Sequence, residues 1–247
     1  MKLISYKMSD DSGFAPNPFF GVLTLATCKA GIRRSSTRKE GDWIAGFGSK
    51  SMCGDEVGNE RLIFLMEVKE KIPLENYYKS YPPKRPIPRG NSTHVAGTIK
   101  NVRRGCCGSR QEDSNSVADL RKDRGDNIYR FVGNTYEVLP NRFHPAEKPE
   151  HKVRDISGRY VLISTNFYYF GGGYEADGRT GYFLPEAIQR PNLVPGQSGY
   201  GTITEGSEIP LIKYIQERFK KNGIYGRPFR WPPNNESWKK DENYIQP

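Results

Sequence analysis

Glycine and proline interrupt this chain so often that few segments can form a long helix. The 247 residues include 26 glycines and 18 prolines, and apolar residues at helical spacing are rare. Tyrosine and phenylalanine (15 and 12) supply much of the apolar content, and aromatic residues favour strands. The sequence therefore predicts one α+β domain over residues 1–247, with strands joined by many turns and a few helices.

Several segments have the apolar pattern of strands. The strongest is 159–173, where Val161 and Ile163 face one way and Tyr160 and Leu162 the other. The same alternation must separate the four aromatic residues later in this segment. It places Phe167 and Tyr169 on one face and Tyr168 and Phe170 on the other. Further strands are predicted at 3–8, 41–48, 61–72, 126–132 and around 135–140.

One segment stands out as a helix. In EIPLIKYIQERFKKNG an apolar stripe is formed by Leu211, Ile212, Ile215 and Phe219, with Gly223 predicted as the C-cap. Residues 74–82 predict a short helix or turn, 142–155 a polar connector, and 226–247 a tail that wraps the surface. The basic, proline-rich stretch 79–125 is expected to be a long mobile insertion.

The charge of the chain indicates an anionic partner. The net charge is +10 and the sequence pI is about 9.4, which attracts nucleic acid or nucleotides, although charge can also serve solubility alone. No segment has the signal-peptide pattern or approaches the roughly 20 apolar residues of a membrane span. With four cysteines and no CxxC spacing, we expect a cytoplasmic protein with reduced thiols and no membrane contact.

A basic cluster near the start of the chain suits phosphate. Lys29, Arg33 and Arg34 lie beside three hydroxyl residues at 35–37, and such groups contact phosphate oxygens well. The alternative is an ordinary solvated face. We predict that Lys29, Arg33 and Arg34 contact phosphate. The cluster directly precedes the predicted strand that begins at Gly41.

Aromatic residues suggest a surface for a flat ligand. Phe14 lies in a proline-rich loop with Asn17, and the loop can hold a ring at a pocket mouth. Tyr168 or Tyr169, beside a glycine run, can stack on a base at about 1 to 3 kcal/mol per base. Equally, these rings can serve only the core.

Catalytic signatures are sparse. The three histidines form no HExxH or Cys/His metal spacing, and neither Walker nor GxSxG motifs are present. Asp126, His144 and Glu186 could perform acid–base chemistry, but spacing alone cannot select them; Asp126 and His144 are the two candidates that we retain. We predict no metal site, and no motif identifies a cofactor.

Several blocks resemble the nucleotide modification associated domain family of the second type, found in phages and bacteria in gene settings linked to DNA base hypermodification. The matching blocks are residues 5–19, 23–29, 32–34, 41–49, 61–68, 125–129 and 160–171. This resemblance implies a nucleic-acid modification setting, with DNA a more probable partner than RNA. It does not imply a particular reaction.

A weaker likeness is to the small barrels of the EVE and PUA-like group, carried by the basic, aromatic lead-in and the segment GDWIAGFGS. It implies a partly open, twisted β-barrel with a base pocket between barrel and lead-in loop. In that pocket Trp43 joins the stacking candidates Phe14, Tyr168 and Tyr169. Ser49, on the pocket floor, joins Asn17 and Asn166 as residues that would read base edges.

These observations predict a protein that binds a modified base or nucleotide between the N-terminal loop and the barrel. Two other classes stay open. One is an enzyme that transfers or trims a group on a nucleobase or nucleotide, and the other is a protein-interaction module whose charge only provides solubility. The oligomeric state is not indicated by the sequence.

Overall fold

The structure is a computed structural model, and it describes residues 1–49, 52, 61–87, 119–172, 181–188, 193 and 202–246. It is a mixed α+β fold with three sheets and a small number of short helices among these residues. Most of the predicted insertion, residues 88–118, lies outside the described part of the chain.

The largest sheet has seven strands. They are β1 (Lys2–Met8), β3 (Trp43–Gly48), β4 (Arg61–Glu67), β9 (Phe167–Tyr169), β10 (Tyr182–Phe183), β11 (Thr202–Glu205) and β12 (Gly223–Ile224). Their order is β11–β1–β3–β4–β9–β12, and β10 pairs with the start of β4. The pairs β1–β3 and β9–β12 are parallel, and the remaining pairs are antiparallel.

A second sheet and a hairpin complete the β structure. The second sheet contains β2 (Leu23–Leu25), β8 (Tyr160–Ser164) and β5 (Glu70–Pro73), with β8 in the middle. The hairpin consists of β6 (Tyr129–Val132) and β7 (Thr135–Val138). The described strands do not close into a barrel, so the predicted PUA/EVE-like barrel is not confirmed.

The described helices are short. They are α1 (Ala30–Arg34), α2 (Leu74–Ser80), α3 (Leu120–Asp123), α4 (Pro149–Ile156) and α5 (Pro210–Arg218), with 3₁₀ turns at Pro82–Lys84 and Ser237–Lys240. The prediction of a polar connector over 142–155 was wrong at its end, where Pro149 begins α4 as a proline suited to the first helical turn. Gly223 does not cap α5, because the helix ends at Arg218 and Gly223 belongs to β12.

Two segments predicted as single long strands are each divided between two sheets. At the first division, Val68 N donates to Asp42 O in the large sheet, whereas Lys69 N donates to Ile163 O in the second sheet. At the second, Ser164 Oγ donates to Asn166 O and accepts from Asn166 N, which closes a turn between β8 and β9. The second division gives no sign in the sequence, because β8 and β9 are both buried, whereas at the first division the buried β4 is followed by the partly exposed β5.

The core lies on both faces of the large sheet and beneath the second. The alternation predicted for the aromatic run is confirmed, because Phe167 and Tyr169 pack in one cluster and Tyr168 and Phe170 in the other. The apolar stripe of α5 joins the cluster of Tyr168. A third cluster joins the second sheet to α2 and the hairpin. Trp231, in the predicted surface tail, is buried and stacks on Phe19.

Gly46 on β3 occupies a position with no room for a side chain. A Cβ there would lie 2.3 Å from Phe64 Cε1 and 2.5 Å from Met8 Sδ, both in the core. We therefore expect Gly46→Ala to lower the free energy of unfolding by about 1 to 3 kcal/mol, as overpacking does. Urea denaturation measures this. Gly206→Ala is the control, since its nearest contact is Glu208 O at 3.3 Å; equal stabilities of the two variants would contradict the packing.

Asp11 is a buried carboxyl group at the junction of the N-terminal loop and the C-terminal tail. It accepts hydrogen bonds from Tyr169 OH at 2.7 and 2.8 Å and from Phe229 N at 3.2 Å. Burial nevertheless dominates and raises its pKa from 3.8 to about 6. Between these two values the folded protein holds a proton that the unfolded chain releases, so stability contributed by Asp11 is lost as the pH rises toward and past 6.

Asp11→Asn removes this titration while keeping an oxygen acceptor for Tyr169. We expect the stability of the original protein relative to Asp11→Asn to fall by on the order of 3 kcal/mol between pH 4 and pH 7. Urea titrations at several pH values measure the difference. A difference that does not change with pH would mean that Asp11 ionises in the folded protein as it does in the unfolded chain.

Candidate active site

A thiol, an imidazole and a carboxylate meet in the interior, brought there from three separate segments. Cys28 lies between β2 and α1, His144 in the loop after the hairpin, and Asp155 near the end of α4. Cys28 Sγ is 3.6 Å from His144 Nε2, and His144 Nδ1 is 2.5 Å from Asp155 Oδ2. All three side chains are buried, with Cys28 retaining 7% exposure.

Asp155 is held in place by several donors. Its Oδ1 accepts from the backbone N of Cys28 at 2.7 Å, and its Oδ2 accepts from Tyr129 OH at 2.9 Å as well as from His144. Burial acts to raise the pKa of Asp155, but the hydrogen bond and electrostatic attraction of His144, aided by the charge of Arg33, outweigh it and lower the pKa. Asp155 is therefore an ionised acceptor.

Arg33 connects the same parts through the backbone. Its Nε donates to Cys28 O at 2.8 Å, and its two terminal nitrogens donate to Tyr160 O at 2.8 Å and Asp155 O at 2.7 Å. Gly158 packs directly on the guanidinium group, where a Cβ would lie 2.4 Å from Arg33 Cζ. The guanidinium thus fixes the turn that carries Cys28 relative to α4.

His144 is oriented by its own loop and by neighbouring rings. Asn141 Oδ1 accepts from His144 N at 2.7 Å, and Asn141 Nδ2 donates to His144 O at 3.0 Å. The imidazole meets Phe14 edge to face with centroids 5.1 Å apart, and it meets His151 in the same way at 4.3 Å. The packing leaves the imidazole in one orientation between thiol and carboxylate.

The backbone at Cys28 is strained. Cys28 has φ 53° and Lys29 has φ 38°, so two consecutive non-glycine residues adopt the left-handed region just before α1. Such conformations cost on the order of 1 to 3 kcal/mol each and occur preferentially at functional sites. The strain therefore points to this turn as a candidate for function, independently of the side-chain geometry.

The arrangement has the geometry of nucleophilic catalysis. When Nδ1–H of His144 donates to Asp155, the lone pair of Nε2 faces the thiol and can accept its proton. Nucleophile, base and orienting carboxylate then form one hydrogen-bonded chain.

The same three residues could also be considered for a metal ion, since their ligand atoms lie within 4.8 Å of one another. We predicted no metal site, because the sequence spacing gave no sign of this cluster. However, both oxygens of Asp155 already accept N–H or O–H bonds, which compete with coordination. The donor pattern therefore favours a catalytic chain over a metal centre.

The basic residues predicted to contact phosphate occupy different environments. Arg33 is fully buried in the bonds given above. Lys29 donates to Lys7 O at 3.3 Å and lies 4.5 Å from the centroid of the Tyr6 ring. Arg34 is exposed and lines a cavity together with Tyr160. The basic segment that carries Arg34 thus faces Tyr160 on β8. It does not face Tyr168 and Tyr169, which were predicted to lie across the pocket and instead pack in two core clusters.

Most of the residues predicted to contact a base have structural partners. Phe14 and Trp43 are buried in core clusters, and Phe14 stacks on Phe143. Asn17 is buried, donating to Arg124 O and accepting from Lys84. The two remaining residues, Ser49 and Asn166, are partly exposed, and Asn166 donates to Glu67 at 2.8 Å. Base contact by these residues stays a prediction.

Of the two acid–base candidates, only His144 belongs to the cluster. Asp126 accepts from Thr24 Oγ1 at 2.7 Å and from Tyr77 OH at 2.8 Å, and the charge of Lys84 lies nearby. Burial raises the pKa of Asp126, and these contacts only partly oppose it. Its environment is that of a core residue tying β2 to α2.

Sequence reasoning did not predict that Cys28 and Asp155 lie beside His144. In sequence they lie 127 residues apart, and His144 is 11 residues from Asp155, so no short motif joins them. The available signal was a lone cysteine at a strand-to-helix junction, TLATCKAG, which is weak without the other two groups.

Among the residues that the structure describes, no helix is both long enough and apolar enough to cross a bilayer. No curated protein and no solved structure matches the chain. The model of one family, described as nucleotide modification associated domain 2, matches residues 1–119 and 107–235 and so covers nearly all of the sequence, including Cys28, His144 and Asp155. The chain therefore belongs to the nucleotide modification associated domain 2 family.

Proposed function

We propose that this protein is an enzyme of nucleotide or nucleic-acid modification that works by nucleophilic catalysis from Cys28. The observation that supports this most strongly is the hydrogen-bonded chain from the Cys28 thiol through His144 to Asp155. Family membership connects the protein with nucleotide modification. The hydrogen-bonded groups Cys28, His144 and Asp155 supply a chemistry by which such a modification could be changed.

The roles follow from the geometry. His144 Nε2 removes the thiol proton, and Asp155 stabilises the imidazolium that forms. The sulfur then attacks an electrophilic carbonyl carbon of the substrate, and the π electrons move to the carbonyl oxygen. When they return, the leaving group departs with the proton from His144, and a thioester with Cys28 remains.

The second half of the reaction releases the enzyme. His144 takes a proton from water, the resulting hydroxide attacks the thioester carbon, and Cys28 leaves as the thiolate and is reprotonated by His144. The net change is hydrolysis of an acyl group, or its transfer if an amine replaces water. Acyl or amide groups on a modified base or nucleotide are the substrates we propose, with DNA favoured over RNA.

This proposal includes the sequence-based hypothesis of base binding, since such an enzyme must hold its base or nucleotide. Of the two acid–base candidates it keeps His144, and it assigns Asp155, rather than Asp126, to the catalytic chain. An enzyme is favoured over an interaction module by the strained turn at Cys28 and by an ionised carboxylate aligned with the imidazole.

A substrate-independent test uses the reactivity of the thiol. In a Cys53→Ser/Cys106→Ser/Cys107→Ser background, Cys28 is the one remaining thiol. We expect iodoacetamide at pH 7 to alkylate it at least tenfold faster than in the same protein with His144→Asn, because the base that withdraws the proton is gone. Asp155→Asn should also slow the reaction, and peptide mass spectrometry verifies the position.

His151→Asn is the matched control, because His151 touches His144 but has no bond to Cys28 in the described structure. Circular dichroism checks that each variant is folded. Equal alkylation rates with and without His144 would overturn the proposal. So would stoichiometric zinc or iron in the purified protein that is lost with Cys28→Ser, since that would indicate a metal centre.

A further inference from the structure

A second feature, distinct from the candidate active site, is a cationic groove on the surface. We call it the anion groove, a cavity of about 960 Å³ between α1, β5 and the turn from α4 to β8. Its lining consists of Gly31, Arg34, Ser35, Ser36, Lys71, Ser157, Arg159 and Tyr160. Three cations and four hydroxyl groups therefore line one space, and none of the lining residues is acidic.

Among the described residues, no carboxylate forms an ion pair with Arg34, Lys71 or Arg159, the three cations of the anion groove. By contrast, several exposed cations elsewhere are paired, such as Arg130 with Glu137 at 2.7 Å and Lys213 with Glu208 at 2.7 Å. Unpaired cations gathered around hydroxyl groups favour binding of an oxyanion.

Lys71 is held in place rather than loose in solvent. Its Nζ donates to Ser35 O at 2.7 Å and to Arg38 O at 3.2 Å, and it lies 4.6 Å from the centroid of the Tyr160 ring. Partial burial of the Lys71 ammonium group and the nearby charge of Arg38 lower the pKa of Lys71. A third donor position of the ammonium group is left for a ligand.

The backbone conformation of Arg159 is a second feature of the anion groove that points to function. It has φ 59°, a left-handed conformation unusual for arginine, in the turn between α4 and β8. Its carbonyl accepts from Leu74 N at 2.8 Å, so the second sheet and α2 hold the turn. The turn thereby places the exposed Arg159 side chain at the edge of the anion groove.

A smaller cavity of about 530 Å³ adjoins the anion groove and shares Ser157, Arg159 and Tyr160 with it. The remaining lining is mostly apolar or aromatic: Pro73, Leu74, Glu75, Tyr136 and Ile156. A cationic end next to an apolar, aromatic end matches the two parts of a nucleotide, its phosphate and its flat base.

We infer that the anion groove binds a phosphate group of a nucleotide or nucleic-acid strand, with Arg34, Lys71 and Arg159 as the phosphate contacts and the adjoining cavity taking the base or sugar. The anion groove shares its two main elements with the candidate active site. Cys28 precedes α1 and Arg34 ends it, about 6 Å of helical rise beyond Ala30. Asp155 lies near the end of α4, and Ser157 and Arg159 follow it.

This inference rests on the proposed function in one respect, that the bound phosphate belongs to the substrate; binding itself does not need a reactive thiol. The test uses the full chain, with deoxyadenosine monophosphate followed by calorimetry and a fluorescein-labelled single-stranded 12-mer followed by anisotropy. The variants are Arg34→Gln/Arg159→Gln and, as a control with the same loss of charge, Lys213→Gln/Lys220→Gln. Lys213 lies on the exposed face of α5, and Lys220 lies just beyond the end of that helix.

We expect the double arginine variant to bind at least tenfold more weakly. For the single-stranded 12-mer, the slope of log K against log salt should become shallower by about 1.4, because two phosphate contacts are lost. The control should keep the original slope. Binding of the monophosphate identifies a nucleotide site, whereas binding of the 12-mer alone identifies a strand site. Unchanged affinity in the arginine variant, or an equal loss in the control, would overturn the inference.

The two proposals fail separately. We expect Cys28→Ser to bind the nucleotide and the 12-mer as the original protein does. We also expect Arg34→Gln/Arg159→Gln to leave the rate of Cys28 alkylation unchanged, so each experiment tests only one of the two sites. Loss of alkylation on removal of His144 with no effect of Arg34 and Arg159 on binding would support the catalytic proposal and contradict the anion groove.

Discussion

The ionised carboxylate of Asp155 is the group on which the rest of the site depends. It accepts hydrogen bonds from Cys28 N, His144 Nδ1 and Tyr129 OH, and so joins the turn before α1, the loop after the hairpin and strand β6 to one helix. A buried carboxylate with this many donors is stabilised strongly in one position. Removing it would leave His144 without the acceptor that directs Nε2 to the thiol.

Arg33 and Gly158 extend this arrangement to the surface. Arg33 bonds three carbonyls inside the fold, while Arg34, its neighbour, opens onto the anion groove. Gly158 packs on Arg33 and stands between Ser157 and Arg159, which line the same groove. The buried bonds around the candidate active site thus also hold the segments that carry Arg34 and Arg159, so the candidate active site and the anion groove share one framework.

Local patterns in the sequence predicted many elements because they are local properties. Alternation placed Tyr168 and Tyr169 on opposite faces, and the stripe of α5 faces the core as expected. The barrel was not confirmed, because the segments predicted as single strands cross between sheets at Lys69 and Asn166, and side-chain alternation does not show where a chain changes sheet. His144 was predicted as an acid–base candidate from its residue type alone. Cys28 and Asp155 could be recognised as candidates only from the fold, which places them beside His144.

The most direct measurement of the central claim is mass spectrometry of a cellular nucleotide and digested DNA pool incubated with the purified protein. The account predicts that the original protein changes the mass of at least one modified nucleotide. It also predicts that an acid-quenched sample carries an acyl adduct on the peptide containing Cys28, and that Cys28→Ala loses both. Turnover of the same nucleotide by Cys28→Ala at the original rate would contradict the account.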